Sequence, residues 1–183
     1  MQSRKPRRIR VGISACLLGR QVRYDGGHKR DRRIIATLGR LFELVPVCPE
    51  LEAGLGVPRE PLRLEGKTAS PRLVFRRTRG DITGRMNAWA RRRLRELQKT
   101  DLRGFILKSR SPSCGLERVR LYKPGRPGTP SRPGAPARKG QGLFARALVQ
   151  RFPSLPVVEE RRLHDRAGRD EFIRKVLACR GKA

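Results

Sequence analysis

Apolar and polar positions along the chain fall into short segments of two periods. Ile9, Val11 and Ile13 alternate with Arg10 and Gly12, which predicts a strand over residues 8–15. Residues 31–41 carry Ile34, Ile35, Leu38 and Leu41 at helical spacing. Residues 42–47 are apolar but for Glu43, as suits a buried parallel strand. Two short runs, 62–64 and 72–75, predict an antiparallel pair. Asp81 is placed to cap a helix over 82–97, where Ile82, Met86, Trp89, Ala90, Leu94 and Leu97 share one face. Arg91, Arg92 and Arg93 fall mostly on the other face, as a wet surface requires. Further strands are predicted at 104–108, 119–122 and 155–158, and further helices at 142–152 and 170–179.

Strands alternate with helices, so the expected fold is α/β: a mostly parallel sheet flanked by helices in three Rossmann-like layers. Residues 8–180 are expected to form one such domain after a basic extension, 1–7. Residues 123–140 hold five Pro and four Gly without an apolar period, and read as a flexible surface insertion.

Charge adds one question. The 183 residues carry 45 basic and 16 acidic side chains, a formal charge of +29, and Arg supplies 36 of the basic ones. Such a surface can serve a polyanion, because Lys and Arg release counterions from phosphate backbones. It can equally be a solvated, Arg-biased surface, which the even scatter of Arg along the chain favours. Aromatic residues make up 5%, too few for a base-stacking platform for single strands. The basic N-terminus is followed by no apolar h-region, so no secretion and no membrane span is expected, and the location is expected to be cytoplasmic. Four Cys in such a chain point to metal binding or catalysis and not to disulfides.

Position makes three of those cysteines informative. Cys16, Cys48 and Cys114 each follow the carboxyl end of a predicted strand, where open parallel sheets bind their ligands. Cys179 falls on the terminal helix and is expected to stay outside the site. Structural zinc favours four ligands and close Cys pairs, which are lacking, and His28 and His164 are poor fourth ligands. Three thiolates on an iron–sulfur cubane would leave one iron open as a Lewis acid. The pattern alone also admits three buried, inert cysteines. Cys114 and Arg120 fit a phosphatase-like Cys-x5-Arg spacing, but Arg120 falls in a predicted strand and no Gly-rich phosphate cradle surrounds it. Glu50 lies two residues after Cys48, and Ser111 and Ser113 lie just before Cys114. A carboxylate beside a metal centre can act as general base towards water, and hydroxyls can orient that water. A helix cap and turn residues are the plainer roles for the same side chains. Arg23, Asp25, Gly26 and Lys29, around the Gly26-Gly27 turn after Cys16, are candidates to bind substrate with Arg59 and Lys108, the cations holding a nucleotide phosphate.

Four blocks carry a resemblance. Ser14-Ala15-Cys16-Leu17-Leu18-Gly19, Arg23-Tyr24-Asp25-Gly26-Gly27-His28-Lys29, Pro46-Val47-Cys48-Pro49-Glu50 and Lys108-Ser109-Arg110-Ser111-Pro112-Ser113-Cys114-Gly115 resemble, in this order, the thiouracil desulfidase family. Gly54-Leu55-Gly56-Val57-Pro58-Arg59-Glu60-Pro61 is similar to the subgroup often fused to a second C-terminal domain, which these 183 residues do not include. The resemblance implies a [4Fe–4S] cluster on Cys16, Cys48 and Cys114 only, with one iron open to the thiocarbonyl sulfur. It implies a water held by Glu50 and Ser111 that attacks the ring carbon. The implied activity is a non-redox, hydrolase-type desulfuration of 4-thiouracil, 2-thiouracil or 4-thiouridine monophosphate. The alternative class is a basic RNA-binding protein whose Cys site is structural.

Overall fold

The computed structural model describes residues 8–124 and 136–179. Four strands form a parallel sheet: β1 (Arg10–Ser14), β2 (Glu43–Val47), β5 (Leu102–Leu107) and β8 (Val157–Glu159), in the order β2-β1-β5-β8. Register aligns their carboxyl ends. Ser14 pairs with Val47, Ile13 with Ile106, and Leu107 with Glu159. The segments that leave these ends therefore emerge along one edge.

Alternation along β5 makes the layers. Phe105 and Leu107 pack with α3 (Thr83–Gln98) and α4 (Leu143–Arg151), whereas Ile106 packs with α1 (Arg32–Leu41) and α5 (Arg166–Ala178). Fully burying a side chain such as Phe105 or Phe144 contributes about 1.5–3 kcal/mol. Gly12 makes room for one of them, since a Cβ there would sit 2.3 Å from the Phe105 ring. Asp31 caps α1, its side chain accepting from the Ile34 N–H, and Asp165 caps α5 in the same way from Gly168. The terminal helix accordingly starts at Arg166, earlier than its apolar period predicts. Leu41, expected on the apolar face of α1, is exposed at the helix end.

A second sheet is the main departure from the expected single sheet. Its order is β4-β3-β6-β7, with β3 (Leu62–Gly66), β4 (Pro71–Phe75), β6 (Val119–Tyr122) and β7 (Ala137–Gly140). The predicted β3–β4 pair is antiparallel, and β6 joins β3 in parallel. Leu64, Leu73, Val119 and Leu121 share the core of α3 and α4. β7 corrects the reading of 123–140 as an insertion throughout, because Ala137–Gly140 pairs antiparallel with β6. An edge strand needs only its backbone to pair, and Ala-Arg-Lys-Gly carries no apolar period to announce it. Residues 125–135 and the proposed extension 1–7 lie outside the described residues. Among the described residues, no helix is long and apolar enough to cross a membrane.

Candidate active site

The aligned strand ends build a cavity of about 310 Å³. Cys16 enters it from the short 3-10 helix Ala15–Leu18 that follows β1. Cys48 enters from the start of α2 (Pro49–Glu52), directly after β2. The Cys48 N–H donates to Glu52 Oε1 at 2.8 Å, and its thiol donates to the Val22 carbonyl at 3.8 Å. Cys114 enters from the loop after β5.

That loop is seated on the start of α4. The N–H of Leu143 donates to the Pro112 carbonyl, and those of Phe144 and Ala145 donate to the Ser113 carbonyl. Donors that a helix leaves unpaired thus hold the Cys114 segment. Gly142 permits the approach, since a Cβ there would lie 2.5 Å from Ser113 backbone atoms. Ser111 Oγ accepts from the N–H of Ser113 at 3.2 Å and of Cys114 at 3.1 Å, closing the turn from within.

The three thiols lie close enough to influence one another. Burial, with the nearby Cys48, pushes Cys16 up to about 11. Burial also raises Cys48, and raises Cys114 well above its ordinary value against a hydrogen bond from Ser14. In the protein alone these cysteines are neutral thiols. Cys179 caps α5 outside the cavity.

Glu50 is held at both oxygens. Oε1 accepts from the Ser113 hydroxyl at 2.9 Å, and Oε2 accepts from Arg59 Nε at 3.0 Å and Nη2 at 2.6 Å. Glu50 and Ser111 line the cavity, whereas Ser113 is fully buried behind Glu50. Opposite, Lys108 Nζ reaches Glu160 Oε1 at 2.5 Å, and Glu160 accepts from the Ser109 N–H and hydroxyl at 2.6 and 2.7 Å.

Of the residues expected to bind substrate, Arg23, Lys29, Arg59 and Lys108 line the cavity, and Asp25 and Gly26 do not. Asp25 pairs with Arg23 at 3.2 Å, and that hydrogen bond with one from Gly27 holds its carboxyl below the usual range. Arg23 also lies over the Tyr24 ring, 5.2 Å from its centroid. Arg120, the partner in the phosphatase-like spacing, sits exposed on β6, away from the cavity.

Three contributors were missed from sequence. Tyr24 is the cavity's aromatic wall, 38% exposed. Ser14 is buried beside Cys114 and accepts from the Lys108 N–H at 2.9 Å. Glu160 follows the end of β8, so the positional rule that singles out the cysteines applies to it equally.

A parallel-sheet α/β protein with a three-thiol cavity at its strand ends is the class that fold and site define. The chain belongs to the 2-thiouracil desulfurase family, which it matches over residues 11–160. An uncharacterized protein of Bacillus subtilis (strain 168), YbbK, is 32% identical over 108 residues, covering 56% of this chain and 71% of the relative. The solved structure of a [4Fe-4S]-dependent thiouracil desulfidase, TudS, superposes with a TM-score of 0.64 at 27% identity, covering 90% of this chain and 99% of that one.

Proposed function

We propose that the protein is an iron–sulfur-dependent desulfidase that converts a thiolated pyrimidine to its oxo form. The candidate substrates are 4-thiouracil, 2-thiouracil and 4-thiouridine monophosphate. The observation that carries this reading is the convergence of three thiols and a doubly held carboxylate on one cavity.

The donor set suits a [4Fe–4S] cluster. The cavity lining holds three cysteines, no fourth and no histidine, so the protein offers ligands for three irons. Among the described residues no three His, Cys, Asp or Glu side chains are grouped to hold a single metal ion. Cys16, Cys48 and Cys114 would hold the cluster. When bound, it supplies an iron without a protein ligand, a Lewis acid for the thiocarbonyl sulfur.

The protein groups do the rest. Val22, Tyr24, Pro61 and Leu62 supply apolar wall for the pyrimidine ring. Glu50, fixed in orientation, takes a proton from the attacking water. Ser111 already accepts two backbone hydrogen bonds at its oxygen, so its hydroxyl proton is what it offers that water. Lys108, held by Glu160, sets its ammonium group within electrostatic reach of Cys16. A carbon–oxygen bond forms, the carbon–sulfur bond breaks, and sulfur leaves as hydrosulfide without net electron transfer.

The test is iron and sulfide analysis of anaerobically purified protein, coupled to thiouracil turnover. Brown protein with about four irons per chain that releases hydrosulfide and uracil supports the reading. Colourless protein without iron that binds RNA in a salt-sensitive manner moves the assignment to the RNA-binding class.

A further inference from the structure

We infer that Arg59 is a positioning residue whose guanidinium fixes the Glu50 carboxylate, and that it does not bind substrate. The inference rests on the desulfidase reading and concerns how that site keeps its base in place. Arg59 lines the cavity, yet its donors are spent. Nε and Nη2 both reach Glu50 Oε2, Nη2 also reaches the Val22 carbonyl at 3.0 Å, and Nη1 reaches the Gly56 carbonyl at 2.7 Å. Its side chain is 4% exposed. A guanidinium has five N–H groups in a fixed fork, so little remains for a ligand.

The acceptors are as telling as the count. Val22 belongs to the loop that follows Cys16, Glu50 to the helix that follows Cys48, and Gly56 to the turn beyond that helix. The Arg59 N–H also donates to the Tyr24 carbonyl at 2.9 Å. One side chain thus ties the carboxylate to the loops that carry two thiols. Glu50 Oε1 is taken by Ser113, so both oxygens are tethered and the carboxylate has one orientation to present. Lysine cannot replace this, because a single ammonium cannot form the fork on Oε2 and also serve two carbonyls.

The experiment compares wild type, Arg59→Ala and Arg59→Lys as anaerobic holoproteins. It reads thiouracil kcat and KM, iron per chain, and the Kd for uracil by calorimetry. Both variants are expected to keep their iron and their uracil Kd within about twofold, and to lose about 10–100-fold in kcat, the usual cost of losing a supporting partner. Added guanidinium is expected to restore turnover in Arg59→Ala and not in Arg59→Lys, whose side chain fills the space. A weakened uracil Kd and raised KM with kcat intact would make Arg59 a substrate ligand and overturn the inference. So would unchanged kcat, or loss of iron from both variants. An iron-replete wild type without turnover overturns the desulfidase reading itself, so the wild-type arm separates the two failures.

Discussion

Glu50, at the edge of the parallel sheet, and Glu65, in the second sheet, are carboxylates gripped by arginine in two different settings. Glu65 has no exposed surface. Arg63 Nε lies 2.7 Å from its Oε1 and Arg79 Nη2 lies 2.9 Å from its Oε2, with Arg72 at 3.9 Å. Arg63 in turn stacks on Tyr122 of β6, 5.2 Å from the ring centroid. This cluster ties the side chains of β3 to β4, β6 and the segment after β4. Glu50 also has its arginine, but its other oxygen meets a serine and its surroundings open onto three thiols. An arginine–carboxylate pair therefore marks neither region as catalytic. The difference lies in what else the carboxylate faces: cations sealing it in, or a cavity with room for water and substrate.

The largest effects should separate the regions cleanly. Replacing Cys16, Cys48 or Cys114 with Ser is expected to abolish both iron binding and turnover, while Cys179→Ser leaves both at wild-type levels. Iron analysis of the four variants checks this, and a colourless Cys179→Ser protein would move the ligand set. Next comes Glu50→Gln, which keeps shape and hydrogen-bonding partners but removes the base. It should retain iron and lose about 10²–10⁴-fold in kcat, with Ser111→Ala costing less. In the second sheet the expectation inverts. Glu65→Gln leaves three arginines around a neutral group and should cost about 3–5 kcal/mol in chemical denaturation, with kcat per folded molecule unchanged. A Glu65→Gln protein of normal stability but lost turnover would erase the distinction between the two carboxylates.

The same contrast explains what the sequence could and could not tell. β1 and β5 announce themselves as short runs packed on both faces, β2 is an equally apolar run although it proves to be a half-buried edge strand, and the cysteines follow their ends. The cap read at Asp81 is off by one residue: the N-cap position of α3 is Ile82, and Asp81 accepts from the Thr83 N–H at 2.8 Å. The second sheet is only half legible. β3 and β4 are neighbours in sequence, whereas the β3–β6 pairing joins residues such as Leu64 and Leu121, which no local pattern connects. Within the site, Glu50 and Ser111 are placed on the cavity wall, yet Ser113 proves to be the hydroxyl that touches Glu50. Arg59 reads as a substrate cation because spacing shows a charge and hides its partners, and those partners are Val22, Glu50 and Gly56.

A last prediction turns on the thiols in cluster-free protein. Burial holds Cys16 neutral to about 11 against an ordinary 9.0. Only thiolate reacts with iodoacetamide, so at pH 8 Cys16 should be alkylated about 100-fold more slowly than an ordinary thiol. Cys179, which is less deeply set, should react first. The sign for stability follows from the same shift. Folded protein binds the Cys16 proton more tightly than unfolded protein, so the neutral-thiol fold keeps its full stability below pH 9 and loses it as pH rises from about 9 towards about 11. The Tm of cluster-free protein should fall across that window. With the cluster bound the thiols are already deprotonated, so the loaded protein should show no such fall and should resist alkylation at all three cysteines. Alkylation mapped by mass spectrometry, alongside Tm measured with and without cluster, checks both halves. Rapid alkylation of Cys16 at pH 8 without the cluster would mean that the cavity is wetter than its burial indicates.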